Sequence, residues 1–204
     1  MGIAKDHHYG DAPWESETKL FAEVAANPKQ WLSDGESHLY AAQVLLQPEL
    51  ERISIIENVL EKKLKSAKAP PPLSSQYFLF CALALENSFK AVISAKNCEQ
   101  VLEESRSKGK LPSFLLGHSL IELAGKAAYG SDDDGEYYLR FLSRYGVWGG
   151  KYPLPIHNND NAVTVKHDDG QHYLAGGFMP KNLSKYLEFS RSVHRWCGKE
   201  AKNV

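Results

Sequence analysis

A run of nine consecutive apolar residues, Tyr77 to Leu85, constrains the fold of this chain more than any other feature. It lies in the stretch Gln76 to Ala95, QYFLFCALALENSFKAVISA, whose second half carries Glu86 and Lys90 at i,i+4 spacing. A helix that is apolar on every side is stable in water only when other elements cover it. At about 1.5 Å per residue the stretch forms a helix long enough to cross a small domain. The sequence therefore predicts a central helix inside an all-α fold.

The same stretch has the length of a membrane span, but Glu86 and Lys90 interrupt it, so no membrane insertion is expected. The chain has 24 basic and 25 acidic residues, and this balance gives no overall attraction to nucleic acid or to an anionic membrane. The N-terminal segment lacks the apolar core of a signal peptide. No two cysteines have CxxC spacing; they are Cys81, Cys98 and Cys197. These features predict a reduced, cytoplasmic protein with one domain over residues 1–204.

Helical periodicity and helix-end signals predict an up-and-down bundle of about five or six helices. Pro48 is expected to separate two of them, because proline at the first helical position is favourable and inside a helix is costly. The segment Asn97 to Leu111 contains a polar and basic stretch, Glu103 to Lys110, which is expected to be an exposed loop or a frayed helix end. The remaining helices are predicted to start near Asn27-Pro28 and Ser119, and to cover Glu136 to Arg144 and Leu183 to Cys197.

Residues 146–182 show no helical period and are rich in glycine. They are interpreted as a long loop insertion with room for a β-hairpin, because Ala162 to Lys166 and Gln171 to Leu174 flank the turn signal Asp169-Gly170. An irregular segment of this length between helices suggests either function or flexibility.

An amphipathic helix with Ala41-Ala42, the segment ALENSFKAVI and the segment GHSLIEL occur in this order, and together they resemble the HEPN (higher eukaryotes and prokaryotes nucleotide-binding) superfamily. Helical bundles of that superfamily often carry an A-x-E-x-x-x-K central helix, and after a loop a helix that starts G-H-x-L. The chain has the matching segments ALENSFKAVI and GHSLIEL, preceded by an amphipathic helix with Ala41-Ala42. The resemblance covers roughly residues 30 to 145. The matching positions are Ala84, Glu86, Lys90, Gly117, His118 and Leu120.

Many HEPN proteins are metal-independent ribonucleases with an Arg, four to six intervening residues and a His. No arginine of this chain has a histidine at that separation. The resemblance therefore implies a binding or regulatory module for nucleotide, RNA or a partner protein, acting as a homodimer and without a cofactor. Two alternatives stay open. One is a ribonuclease with a displaced catalytic pair drawn from Arg144, His118 and His157, and the other is a purely structural interaction module.

Glu86 and Lys90 lie one turn apart on the central helix, and each charge needs a partner if it is buried. One interpretation is a structural ion pair that specifies packing. The other is a polar pocket shared with His118, Arg144 and Tyr145, whose mixture of charges suits a phosphate or nucleotide ligand. His118 itself is either a helix cap or core-facing hydrogen bond, or a general base.

Cations and aromatic residues alternate after the fifth helix, as they do in proteins that bind single-stranded nucleic acid. The alternative is a loop whose aromatic side chains pack against the bundle. The residues in question are Arg144, Tyr145, Trp148 and Lys151.

The last helix region is the most basic part of the chain, with six lysines and arginines against two glutamates between Lys181 and Lys202. Histidines in the insertion, His157, His167 and His172, have aspartates nearby but lack the spacing of zinc ligands, so no metal site is expected.

Overall fold

A computed structural model describes residues 13–61, 63, 68–146, 163–167, 170–174 and 182–204. The fold of these residues is mainly helical, with one 3-10 turn at Ser113–Leu115 between α4 and α5. The seven described α-helices are α1 (Pro13–Ala26), α2 (Pro28–Leu60), α3 (Ser74–Lys96), α4 (Cys98–Lys108), α5 (Leu120–Ala127), α6 (Asp133–Arg144) and α7 (Leu183–Glu200).

Helix α3 is the centre of the fold, and this prediction from the apolar run is confirmed. Every other helix that the structure describes contacts α3. Tyr77, Cys81, Ala84 and Leu85 have no exposed surface, and Phe78 has 1%. By length and composition α3 could cross a membrane, and 72% of its most apolar window is buried inside the fold. A helix with this length and composition that is buried by other helices is also typical of the core of a globular fold.

The prediction that Pro48 separates two helices is wrong, because α2 continues through it. Asn27 caps α2 as expected, and its side chain accepts a hydrogen bond from Lys29 N at 3.0 Å. Proline inside a helix removes the hydrogen bond to the carbonyl four residues earlier. Here that carbonyl belongs to Val44, which is 54% exposed, and Pro48 is exposed as well. Water can therefore satisfy the carbonyl, which lowers the cost of the proline.

Glu49, the residue after Pro48, connects the continued helix α2 to the residue that precedes α3. Its side chain is fully buried and accepts two hydrogen bonds from Arg52, at 2.7 and 2.9 Å. It also accepts one from Leu73 N at 2.9 Å, just before α3 starts. Burial alone would raise the pKa of Glu49, but the bonds from Arg52 and Leu73 outweigh it and lower that pKa. Glu49 thus ties the second half of α2 to the start of the central helix.

The stretch Glu103 to Lys110, expected to be an exposed loop or a frayed helix end, is regular helix as far as Lys108, although residues 106–110 are exposed. Helix α4 occupies Cys98–Lys108, and Gly109 ends it in the left-handed conformation. Val101 is buried, and α4 packs on α1. These two helices raise the number of described helices above the expected five or six.

The predicted start of α5 near Ser119 agrees with the structure, whereas α6 starts at Asp133, three residues before the predicted Glu136. Ser119 caps α5 through a hydrogen bond from Glu122 N at 3.4 Å, and Asp132 caps α6 through one from Gly135 N at 2.8 Å. Aromatic rings from α3, α6 and α7 pack together beside them, with Phe78 in contact with four others. This aromatic cluster comprises Tyr77, Phe78, Tyr137, Tyr138, Phe141, Tyr145, Tyr186 and Phe189.

Two short strands are described within the insertion, β1 (Val163–His167) and β2 (Gly170–Leu174). They pair antiparallel, with Val163 opposite Leu174 and His167 opposite Gly170. Gly170, which the sequence assigned to the turn, is therefore the first residue of β2.

Candidate functional site

Glu86 and Lys90 form a buried ion pair on α3. Lys90 Nζ donates to Glu86 Oε1 at 2.7 Å, and Lys90 and Glu86 are only 5% and 6% exposed. The Lys90 ammonium also lies 5.7 Å from the centre of the Trp31 ring, within the range of a cation–π contact. Trp31 is held in place because its indole N–H donates to Ala25 O at 2.8 Å. Each of the two charges therefore has a partner.

His118 completes this cluster from the segment before α5. Its Nδ1 lies 3.0 Å from both oxygens of the Glu86 carboxylate. A carboxylate paired with Lys90 can only accept, so Nδ1 carries the hydrogen. The His118 side chain is 55% exposed, so part of it faces solvent while Nδ1 is turned toward the buried carboxylate. Of the two expectations for His118, the core-facing hydrogen bond is present, whereas the cap of α5 is Ser119.

His38 is a member of this neighbourhood that the sequence did not indicate. Its ring stacks on Phe80 with 5.9 Å between ring centroids. Burial lowers the pKa of His38, while the negative charges of Asp34 and Glu86 partly oppose that change. Trp31 and His38 are seven residues apart on α2, which is two helical turns, so both reach the same side of α3. The hydrophobic periodicity of α2 does not indicate that Trp31 and His38 lie near Glu86 and Lys90, because both positions also suit an ordinary core-facing residue.

The remaining predicted site residues belong to the end of α6 and beyond. A hydrogen bond from Leu120 N to Ser143 Oγ, 3.1 Å long, joins the start of α5 to the end of α6. Arg144 follows Ser143 directly, and Leu120 is two residues after His118. Tyr145 is turned into the aromatic cluster, 4.8 Å from Phe78 between ring centroids, and burial raises its pKa. Trp148 and Lys151 lie outside the described residues.

A second polar constellation lies elsewhere on α3 and was not expected from the sequence. Ser88 Oγ donates its only hydrogen to Ala84 O at 2.6 Å, so it must accept from His194 Nδ1 at 2.9 Å. His194 Nε2 lies 3.2 Å from Glu36 Oε2. Gly35 allows this approach, because a Cβ there would stand 3.1 Å from Ser88 Oγ and 3.3 Å from His194 Nδ1.

This Ser–His–Glu arrangement is not a hydrolase triad. Ser88 is fully buried, and its hydrogen is committed to the helix backbone, so it cannot act as an accessible nucleophile. The three residues join α2, α3 and α7 instead. No sequence signal could have revealed them, because Ser88 and His194 are 106 positions apart.

The two partly buried histidines make stability depend on pH. Burial lowers the pKa of His38 and of His194 below the ordinary value of 6.5. Asp34 and Glu86 oppose this shift for His38, as Glu36 does for His194, while Arg195 lowers the pKa of His194 further. As pH falls below about 6.5, the unfolded chain binds protons first. The stabilisation is thus complete above pH 6.5 and is lost as pH falls through the folded pKa values.

We expect the melting temperature to fall between about pH 7.5 and pH 5. The double variant His38→Gln/His194→Gln should show a flatter pH profile by the same measurement, because it no longer has these two groups to protonate. A melting temperature that stays level or rises in the wild type over this range would contradict the assignment.

The described residues were searched for metal-binding groups, and the buried cysteine of α3 was considered as a reactive thiol. Within them, no group of three or more His, Cys, Asp or Glu is arranged to hold a metal ion. His167 and His172 lie on β1 and β2, and His157 lies outside the described residues. Cys81 is free and buried, and burial raises the pKa of its thiol to about 12, so it is a protonated core residue.

The chain was compared with protein-family models, with curated proteins and with solved structures, and none of the three comparisons found a match.

Proposed function

We propose that this chain is a HEPN-like binding module whose ligand is a nucleotide or RNA. The observation that carries the proposal is the position of His118, whose Nδ1 is held by the buried Glu86 carboxylate while 55% of its side chain is exposed, and we propose that Nε2 faces the ligand. Lys90 neutralises Glu86, so the carboxylate orients the imidazole without leaving a net negative charge behind it. Nε2 is then available to donate to a phosphate oxygen when the ring is protonated.

Arg144 supplies the second part of the proposed site. The bond between Leu120 N and Ser143 Oγ keeps the end of α6 beside the start of α5, near His118. A guanidinium can bind two phosphate oxygens at once, which an ammonium cannot do. Trp148 and Lys151 follow Arg144 in sequence, and we propose that they extend the site with a stacking surface and a further cation.

The wider architecture belongs to the same proposal. We propose an up-and-down bundle around α3, with residues 146–182 as an insertion that carries the hairpin, in a cytoplasmic homodimer. Sedimentation of the purified protein would test the dimer, since a single species at the monomer mass at all concentrations would contradict it.

A binding titration with site variants tests the ligand. Fluorescent single-stranded RNA and labelled ATP are titrated against the wild type, His118→Ala and Arg144→Gln. We expect each variant to bind the preferred ligand about tenfold or more weakly, because each removes a charge-assisted hydrogen bond. Circular dichroism checks that His118→Ala stays folded, as it should because Glu86 keeps Lys90 as its partner.

Arg106→Gln is the matched control, since Arg106 is a half-exposed arginine on α4 with only a 3.7 Å contact to Glu23. It should bind like the wild type. The proposal fails if neither ligand binds to the wild type, or if Arg106→Gln weakens binding as much as Arg144→Gln.

One observation favours a second candidate, a metal-independent ribonuclease. A histidine whose Nδ1–H is bonded to a carboxylate has Nε2 ready to accept a proton, as general bases require. In that case purified protein would cleave RNA in the presence of EDTA, and His118→Gln would abolish cleavage. RNA that is bound but left intact would instead support the binding module.

A further inference from the structure

A groove runs between α2 and the C-terminal half of α7, on a different side of α3 from His118. Its volume is about 420 Å³. It is lined by Leu32 and Glu36 of α2, by His194, Arg195 and Lys199 of α7, and by Lys202 just after α7. Gly198 also lines it, and open space surrounds the place where a Cβ would stand at that position. Leu32 contributes an apolar wall, while the opposite wall is mainly cationic.

The charges in the groove are unbalanced. Arg195 and Lys199 are four residues apart on α7 and so share one face of the helix, and Lys202 follows in the turn after the helix ends. Among the described residues none of these three forms a salt bridge, so their charges are not already neutralised. Glu36 is the only acidic residue in the lining, and its side chain is 71% exposed. The groove therefore has an excess of positive charge that an anion would offset.

His194 adds a directed group to this surface. Since Ser88 Oγ has committed its hydrogen to Ala84 O, His194 Nδ1 must carry the hydrogen that it shares with Ser88. The other ring nitrogen, Nε2, therefore faces Glu36 at the groove. In a neutral ring Nε2 is an acceptor, and it cannot form a hydrogen bond with a carboxylate oxygen. The Glu36 contact is thus a hydrogen bond only when His194 is protonated.

We propose that this groove binds a small phosphate-bearing ligand, whose phosphate takes the place of Glu36 and is held by protonated His194, Arg195 and Lys199. Phosphate oxygens match both the guanidinium and the ammonium as hydrogen-bond partners. The exposed Glu36 side chain can swing into solvent at little cost. The volume falls within the range of small-molecule sites and limits the ligand to about the size of a mononucleotide.

Binding at the groove takes up a proton. His194 is faced by Glu36 from α2, by Ser88 from α3 and by Arg195 from its own helix; burial and Arg195 lower the pKa of the ring, while Glu36 raises it. The phosphate therefore binds more tightly as pH falls from about 8 toward about 6.

The groove is independent of the nucleotide or RNA site proposed above. Glu86 and Ser88 are two residues apart on α3, which places them about 200° apart around the helix axis. One side of α3 thus carries the His118 cluster, and another side carries the groove. Variants at one site leave the contacts of the other unchanged.

Isothermal titration with pyrophosphate and with AMP tests the inference in the full-length protein. The wild type should bind at least one of them, and Lys199→Gln should weaken the binding about tenfold. Glu36→Gln should bind more tightly than the wild type at about pH 7.5, because the competing carboxylate is gone. Lys185→Gln is the control, since Lys185 is an exposed lysine on the first turn of α7 and does not line the groove.

A second variant avoids any question of misfolding. Gly198→Met places a side chain in open space and replaces a helix-interior glycine, so it should fold at least as well as the wild type while blocking the groove. His118→Ala should leave pyrophosphate and AMP binding at the groove unchanged, which separates this inference from the proposed function.

Four results would overturn the inference. The first is the absence of pyrophosphate and AMP binding by the wild type at millimolar concentration. The second is equal weakening by Lys185→Gln and Lys199→Gln, which would mean diffuse attraction to α7. The third is unchanged binding in Gly198→Met. Displacement of bound AMP by single-stranded RNA in the His118→Ala background would also overturn it, because the groove would then belong to a polymer site.

Discussion

Replacing Glu86 with alanine should cost about 3–5 kcal/mol of unfolding free energy. The reason is that Lys90 is only 5% exposed and would lose the 2.7 Å bond to Glu86 Oε1. The Trp31 ring, at 5.7 Å, would be its main remaining partner. The ion pair with Glu86 would then no longer offset the desolvation cost of the buried Lys90 ammonium. Urea unfolding of the wild type and Glu86→Ala measures the difference.

The double variant Glu86→Leu/Lys90→Met should be measured beside Glu86→Ala. It removes both charges and fills the space with apolar atoms, and such replacements of buried pairs are often neutral or stabilising. We expect it to recover most of the stability lost in Glu86→Ala. If the ion pair served packing alone, ligand binding would survive in this variant. Under the proposed function binding is lost, because the substituted side chain offers no carboxylate to orient His118. A double variant as unstable as Glu86→Ala would contradict the assignment of the cost to an unpaired charge.

Truncating Phe78 to alanine should destabilise the fold by about 3–5 kcal/mol. Phe78 is 1% exposed and packs at 4.8–5.2 Å between ring centroids against rings from three helices. The truncation removes these contacts and leaves a cavity at the junction of α3, α6 and α7. Thermal or urea unfolding gives the magnitude.

Phe78→Leu is the graded control, since it keeps an apolar side chain and should cost less than half as much as alanine. Phe114→Ala provides a second comparison at a phenylalanine that is only partly buried. If Phe78→Ala and Phe114→Ala lowered the unfolding free energy equally, the aromatic cluster would contribute no more to stability than a partly buried phenylalanine does. Because Tyr145 belongs to that cluster and adjoins Arg144, Phe78→Ala should also weaken binding at the proposed nucleotide or RNA site.

Some helix ends could be predicted from the sequence because the interactions that form them are local. Ser119 and Asp132 bond to amides three residues later, and such caps can be recognised from a few neighbouring letters. Helix α4 was missed for the opposite reason. Its sequence is mostly polar, and its formation depends on packing against α1, a segment that lies far earlier in the chain.

The site was only partly predictable for the same reason. Glu86 and Lys90 could be paired from their spacing, and the HEPN-like motif brought His118 to attention. Trp31, His38 and His194 had no such signal, since nothing in α2 or α7 specifies which of their faces will meet α3. Ser88 lies on α3, and nothing near it in the sequence specifies that it meets His194. Only packing determines that.

By itself the sequence determined that Tyr77 to Leu85 must be covered on every side, because water does not tolerate an apolar cylinder of that length. It thereby determined a central helix and an all-α fold. The tertiary structure alone decided that α2 passes through Pro48, since Glu49 must reach Leu73 N across 24 positions. It also decided that His118 meets Glu86 and that His194 meets Ser88. Those contacts depend on the relative placement of packed helices, which sums weak interactions from the whole chain.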